Sequence, residues 1–87
     1  MELDELRKKI DQADEEILRL LAKRMALIPG ITDYKKKNSL PLRQPEREQE
    51  LIAGKRALAK ELGLSQKFVE ELFRIIIEES LRLEEES

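Results

Sequence analysis

Read at alternating steps of three and four residues, the start of the chain gives Leu3, Leu6, Ile10, Ala13, Ile17, Leu20, Arg24, Leu27, Ile31 and Tyr34. This is a helical seam held in phase over four heptads. Nine of the ten positions are apolar or aromatic, and the exception is Arg24. A guanidinium on such a seam is desolvated unless something anionic meets it, and an unpaired buried charge is strongly unfavourable. Lys35 lies eleven residues further on. Eleven residues make almost three whole turns, so it returns to nearly the same face. Two cations on the inward face of one long helix point to an enclosed site for an anion.

Composition narrows the chemistry. The 87 residues make one small domain, 1–87, near the size at which a lone hydrophobic core is only marginally sufficient. The chain has no cysteine, which removes disulfides and thiolate metal sites. It has no histidine, which removes the commonest general base and metal ligand. Aromatics are 3% and charged residues 41%, a balance of amphipathic helices rather than sheets. A net charge of -2 gives no electrostatic reason to expect nucleic acid as a partner. No signal-like or membrane-spanning apolar run is present, so no membrane partner and a cytoplasmic location are expected.

The pattern predicts an all-α fold of three helices, one long and two shorter. The first runs from about Leu3 to about Lys37, with Asn38 and Ser39 as terminators. Pro29-Gly30 usually marks a turn, and a helix ending at Ile28 is the alternative. The seam keeps its phase through Ile31 and Tyr34, so the expectation is a kinked but continuous helix. Residues 39–44 form a connection, and Pro45 suits the first position of the second helix. Leu51, Leu58 and Leu62 are that helix's expected buried stripe, with Gly63 just past its end. Ser65 caps the third helix, which carries Phe68, Leu72, Phe73, Ile76, Ile77 and Leu81 inward before fading into Glu84, Glu85 and Glu86. A first helix of about 35 residues is roughly 52 Å long, which two shorter helices cover only in part. A homodimer packed along the seam is the natural remedy.

Polar residues then recur where the pattern faces inward. Arg24 and Lys35 come from the first helix, Arg47 from the second, and Ser80 with Glu84 from the third at i, i+4 spacing. Each has an ordinary reading. Arg24 fits an interhelical ion pair, Arg47 a pair with Glu50, Ser80 a helix exterior, and Arg7 and Lys35 solvated faces. Their coincidence on three helices favours a common site.

The segments Leu6-Arg7-Lys8-Lys9-Ile10-Asp11, Leu20-Leu21-Ala22-Lys23-Arg24, Tyr34-Lys35 and Pro45-Glu46-Arg47-Glu48 resemble the all-helical chorismate mutases of the AroQ class. So does Phe73-Arg74-Ile75-Ile76-Ile77-Glu78-Glu79-Ser80. The resemblance runs through essentially the whole chain in order. It implies an intertwined homodimer of three-helix protomers with two equivalent sites that rearrange chorismate to prephenate, on the route to phenylalanine and tyrosine. That reaction is unimolecular and pericyclic, so it needs no cofactor, metal, nucleophile or general base, and the missing histidine and cysteine cost it nothing.

By that resemblance, Arg24 clamps one substrate carboxylate and Arg7 reaches across from the other protomer to the second. Seventeen residues separate the two, about 100° around the axis, so one protomer does not aim both at one point. Lys35 contacts a carboxylate and the ether oxygen whose bond breaks. Arg47 and Ser80 complete the carboxylate side, Glu48 holds the ring hydroxyl, and Ile31 forms an apolar wall. Three positions depart from the family pattern. Gln44 stands where many relatives have Asp, Pro29-Gly30 separates Arg24 from Lys35, and Glu84 stands where many relatives have Gln as second donor to the ether oxygen. An ionised carboxylate only accepts hydrogen bonds, so Glu84 must be protonated to do that work. Two other functions fit the same scaffold: an isochorismate pyruvate lyase, and a non-catalytic helical dimerisation or regulatory module.

Overall fold

A computed structural model describes residues 1–86, and within them the chain is all-helical. The elements are α1 (Leu3–Ala26), α2 (Ile28–Lys37), α3 (Pro45–Glu61) and α4 (Gln66–Glu85). The expected single first helix is therefore two segments, and the continuous ladder is corrected at one residue, Leu27. Pro29 has no N–H to give the carbonyl four residues back, and its ring crowds that carbonyl. The ladder tightens just before it, where the Leu27 N–H bonds the Arg24 carbonyl at 3.2 Å. Leu27 keeps right-handed helical angles (φ −82°, ψ −17°), and the Ile31 N–H returns to its carbonyl at 3.3 Å. The phase of the seam therefore survives the break.

The other boundaries follow local chemistry. The Ser39 N–H bonds the Lys36 carbonyl at 3.3 Å and the Leu40 N–H bonds the Lys35 carbonyl at 2.8 Å, ending α2. This double closure places Ser39 in the left-handed region, φ 54°. Gly63, φ 74°, closes α3 in the same way with Leu64 bonded to Ala59. Pro45 starts α3, where a missing N–H is harmless. The Ser65 hydroxyl accepts the Phe68 N–H at 3.2 Å and caps α4.

α3 packs along α4, and α2 packs on the C-terminal half of α4. The buried apolar residues are Ile52 and Ala59 of α3, Val69, Ile76 and Ile77 of α4, and Ile28 of α2. The stripe expected on α3 is thus corrected. Leu51 is half-buried, Leu58 and Leu62 are exposed, and the chain's own core takes Ile52 and Ala59 instead. On α4, Ile76 and Ile77 are buried as expected and Phe73 and Leu81 half-buried, whereas Phe68 and Leu72 are exposed and Val69 takes the core position. Ion pairs and a cation–π contact flank this packing. Arg56 bonds Glu70 at 2.9 Å, and the Lys55 ammonium lies 5.4 Å from the Phe73 ring centroid.

α1 stands apart. None of its residues is buried, and Ile17 and Leu20 on the seam remain 55% and 64% exposed. The radius of gyration is 16.1 Å, against about 12 Å for a compact chain of this length. The longest dimension, 55 Å, matches the roughly 52 Å of 35 helical residues. Among the described residues no helix is long and apolar enough to cross a membrane.

Candidate active site

The break at Leu27 has a consequence for function: it leaves the last turns of the seam beside α4 while the first five turns extend away. Where the end of α1, α2, the 38–44 connection, α3 and α4 meet, they line a partly open cavity of about 670 Å³. Arg24, Lys35, Gln44, Arg47, Glu48, Ser80 and Glu84 all line it. Apolar walls come from Leu27, Ile31, Leu51 and Ile77 among others. Seven of the eight residues singled out in the sequence therefore share one cavity. The eighth, Arg7, does not line it. It is exposed on α1, seventeen residues or about 26 Å of helix from Arg24.

Arg24 donates from Nη1 to the Ser80 hydroxyl at 2.5 Å, and that hydroxyl donates to the Ile76 carbonyl at 2.9 Å. Ser80 is buried, so this chain of bonds fixes which way the guanidinium points. Among the described residues no carboxylate lies within ion-pair distance of Arg24. Its pKa is lowered, first by burial and then by the positive charge of Arg47. Among the described residues the ion-pair partner of Arg47 is the exposed and distant Glu50, at 3.9 Å. The two guanidiniums thus repel one another across the cavity, and among the described residues no carboxylate is paired with Arg24 to offset it. That arrangement is unfavourable unless an anion is brought in.

Lys35 is differently placed. Its ammonium donates to the Leu42 carbonyl at 2.6 Å and to the two carboxylate oxygens of Glu84 at 2.9 and 3.3 Å. Glu84 is 3% exposed, so this is a buried ion pair and not a surface one. The helix ending at Ser39 folds the connection back over Lys35, which is why a loop carbonyl reaches the ammonium. Glu48 is held from outside the cavity. Arg43 donates to it from Nε and Nη2 at 3.2 and 3.1 Å and also meets Glu78 of α4. Gln44 turns its amide to the Pro41 carbonyl at 3.5 Å and brings no charge.

The sequence reading missed three contributors. Arg43 is one of many arginines, and nothing in its spacing sets it apart. The Leu42 carbonyl is backbone and invisible to side-chain patterns. Thr32, next in sequence to the lining residue Ile31, is fully buried, its hydroxyl donating to the carbonyl of Ile28, another lining residue, at 3.1 Å; its place, four residues after Ile28, was the only available signal.

Residues 6–85 match the family described as chorismate mutase type II. The chain belongs to the chorismate mutase type II family. A chorismate mutase of Methanocaldococcus jannaschii is 34% identical over 84 residues, covering 97% of this chain and 85% of that protein. A T-protein of Enterobacter agglomerans is 38% identical over 79 residues, 91% of this chain, which spans only 21% of that longer protein. A 4-amino-4-deoxychorismate mutase of Streptomyces pristinaespiralis is 33% identical over 84 residues, 97% of this chain and 65% of that protein. The chorismate mutase type II match covers α1 from Leu6 onward, the other three helices whole, and every residue that lines the cavity.

Proposed function

We propose that this chain is a chorismate mutase that rearranges chorismate to prephenate in phenylalanine and tyrosine biosynthesis. The observation that carries the reading is the charge pattern of the cavity: Arg24 with no carboxylate in ion-pair distance among the described residues, Arg47 held only by the exposed Glu50, and beside them a buried Lys35–Glu84 pair. A dicarboxylate supplies the missing anion. Its ether C–O bond breaks while a new C–C bond forms, all within one molecule, so no proton, nucleophile or metal takes part. The work left to the protein is to hold a compact, chair-like conformer and to answer negative charge developing on the ether oxygen.

In this reading Arg24, steadied by Ser80, clamps one carboxylate, with Arg47 beside it. Lys35 faces the ether oxygen and a carboxylate. Glu84, once protonated, is the second donor to that oxygen, and Glu48 accepts the ring hydroxyl with Gln44 alongside. Ile31 and its apolar neighbours exclude water.

The second substrate carboxylate is met by Arg7 of a second copy. A bare seam on α1, an elongated chain and a cavity still open on one side support an intertwined homodimer with two shared sites. The seam on α1 covers the partner's cavity as the partner's covers this one, which also gives the thin core its missing apolar contacts. The test is to incubate the purified protein with chorismate and, separately, isochorismate. Loss of chorismate with prephenate as sole product supports the reading. Release of pyruvate from isochorismate, without prephenate formation, contradicts it.

A further inference from the structure

Arg43 does not itself line the cavity; it sits between Leu42 and Gln44, which do, and its side chain reaches the lining through Glu48. Its two parallel donors, 3.2 and 3.1 Å from the two oxygens of Glu48, form a fork-to-fork pair. Such a pair fixes the plane of the carboxylate, because rotating it breaks both bonds together. It also occupies two of about four acceptor positions and leaves the rest for a donor inside the cavity. The same Nη2 also donates to Glu78 of α4, two residues before Ser80, so Arg43 ties α3 to the helix that carries Ser80 and Glu84.

We infer that Arg43 is a positioning residue that both orients Glu48 and offsets its charge, so that the site takes a ring hydroxyl in preference to a ring ammonium. This rests on the reading above, in which Glu48 accepts the hydroxyl of chorismate. A bare carboxylate prefers an ammonium, since a charge–charge attraction adds to the hydrogen bond. A guanidinium bonded to its far side cancels much of that attraction and leaves the hydrogen bond itself. Glu78 restores little of it. Its side chain is 61% exposed and its field screened, whereas that of Glu48 is 22% exposed and turned to the cavity. Gln44, neutral where an acid would strengthen the pull on an ammonium, acts in the same sense. Both carboxylates raise the pKa of Arg43, Glu48 foremost, so its charge is constant across the working pH range. As an exposed ion pair the contact adds little to stability, and its effect is expected in turnover and selectivity.

The experiment compares chorismate with 4-amino-4-deoxychorismate, the substrate named for the Streptomyces relative, on the wild type, Arg43→Gln and Arg43→Lys. Wild type is expected to favour chorismate. Arg43→Gln should keep its melting temperature and lose about tenfold in kcat/KM for chorismate, the lower end of what losing an outer support costs. Its loss on the amino substrate should be at least about threefold smaller, because the freed carboxylate now attracts the ammonium. Arg43→Lys keeps the charge without the fork, so it should lose rate yet hold the wild-type preference. Equal losses on both substrates in Arg43→Gln, or no loss on either, overturn the assignment while leaving the proposed function standing. So does a Lys variant whose preference follows that of Gln. A wild type inactive on chorismate overturns the function and the assignment together.

Discussion

Lys35→Met isolates the charge of the buried pair, because it keeps the apolar stem and removes only the ammonium. Glu84 is 3% exposed, and among the described residues Lys35 is the one cation within ion-pair distance of it. The side chain of Lys35 is itself only 15% exposed, so the small worth of a surface pair does not apply. The substitution strands a carboxylate whose two oxygens lose their donor at 2.9 and 3.3 Å, and it also frees the Leu42 carbonyl. Breaking a buried pair from one side costs about 3–5 kcal/mol. In a chain of this size about 3 kcal/mol lowers the melting midpoint by roughly 12 °C or more. Adding Glu84→Gln removes the stranded charge, so the double variant should recover all but about 1.5 kcal/mol, a coupling that only contacting residues show. The assay is urea unfolding followed by circular dichroism, at one fixed protein concentration because association adds to apparent stability. A single variant within about 1 kcal/mol of wild type at neutral pH, or a double variant as unstable as the single, refutes the reasoning.

Three further outcomes are expected. Lys35→Ala should lower kcat more than it raises KM, because the ether oxygen gains charge mainly in the transition state, whereas Arg24→Ala should harm both; steady-state kinetics showing equal, purely binding-type losses contradict these roles. Glu84→Gln puts a permanent amide donor where an ionised carboxylate only accepts, so it should raise kcat for chorismate; an unchanged or lower kcat removes Glu84 from the role of donor to the ether oxygen. Glu70 is held below the usual carboxylate range by its hydrogen bond from Arg74 and then by Arg56, so its stabilisation is present above that range and lost as pH falls through the lower folded value. Glu70→Gln should therefore shallow the acid limb of the stability curve, and an unaltered limb shows the pairing to be without consequence.

Helix phase was legible because it is a local property. Arg24 and Lys35 keep one face across Pro29, and the cavity lies where that face meets Ser80 and Glu84. Caps and stops were legible for the same reason: Ser65, Gly63, Ser39 and Pro45 act within one turn. Burial was read less well, because an apolar residue in a helical stripe does not announce which surface will cover it. Leu58, Leu62, Phe68 and Leu72 read as core, yet this chain's own packing takes Ile52, Ala59 and Val69 on adjacent faces. Arg43 was missed because its role depends on a loop that folds back toward α3, and no periodicity encodes such a turn. The ion pair of Lys35 with Glu84 joins residues 49 apart, which only the packing of α2 on α4 brings together.

The shared site is tested most directly by mixing Arg7→Ala with Arg24→Ala and measuring prephenate formation from chorismate. Each variant alone should be nearly inactive, because every site in its dimer lacks one arginine. After subunit exchange, random pairing gives mixed dimers in which one site carries both substitutions and the other neither, so about a quarter of wild-type activity should return. Activity no greater than the sum of the two parents, after exchange has been verified, contradicts a chorismate mutase whose site is completed by Arg7 of a second copy.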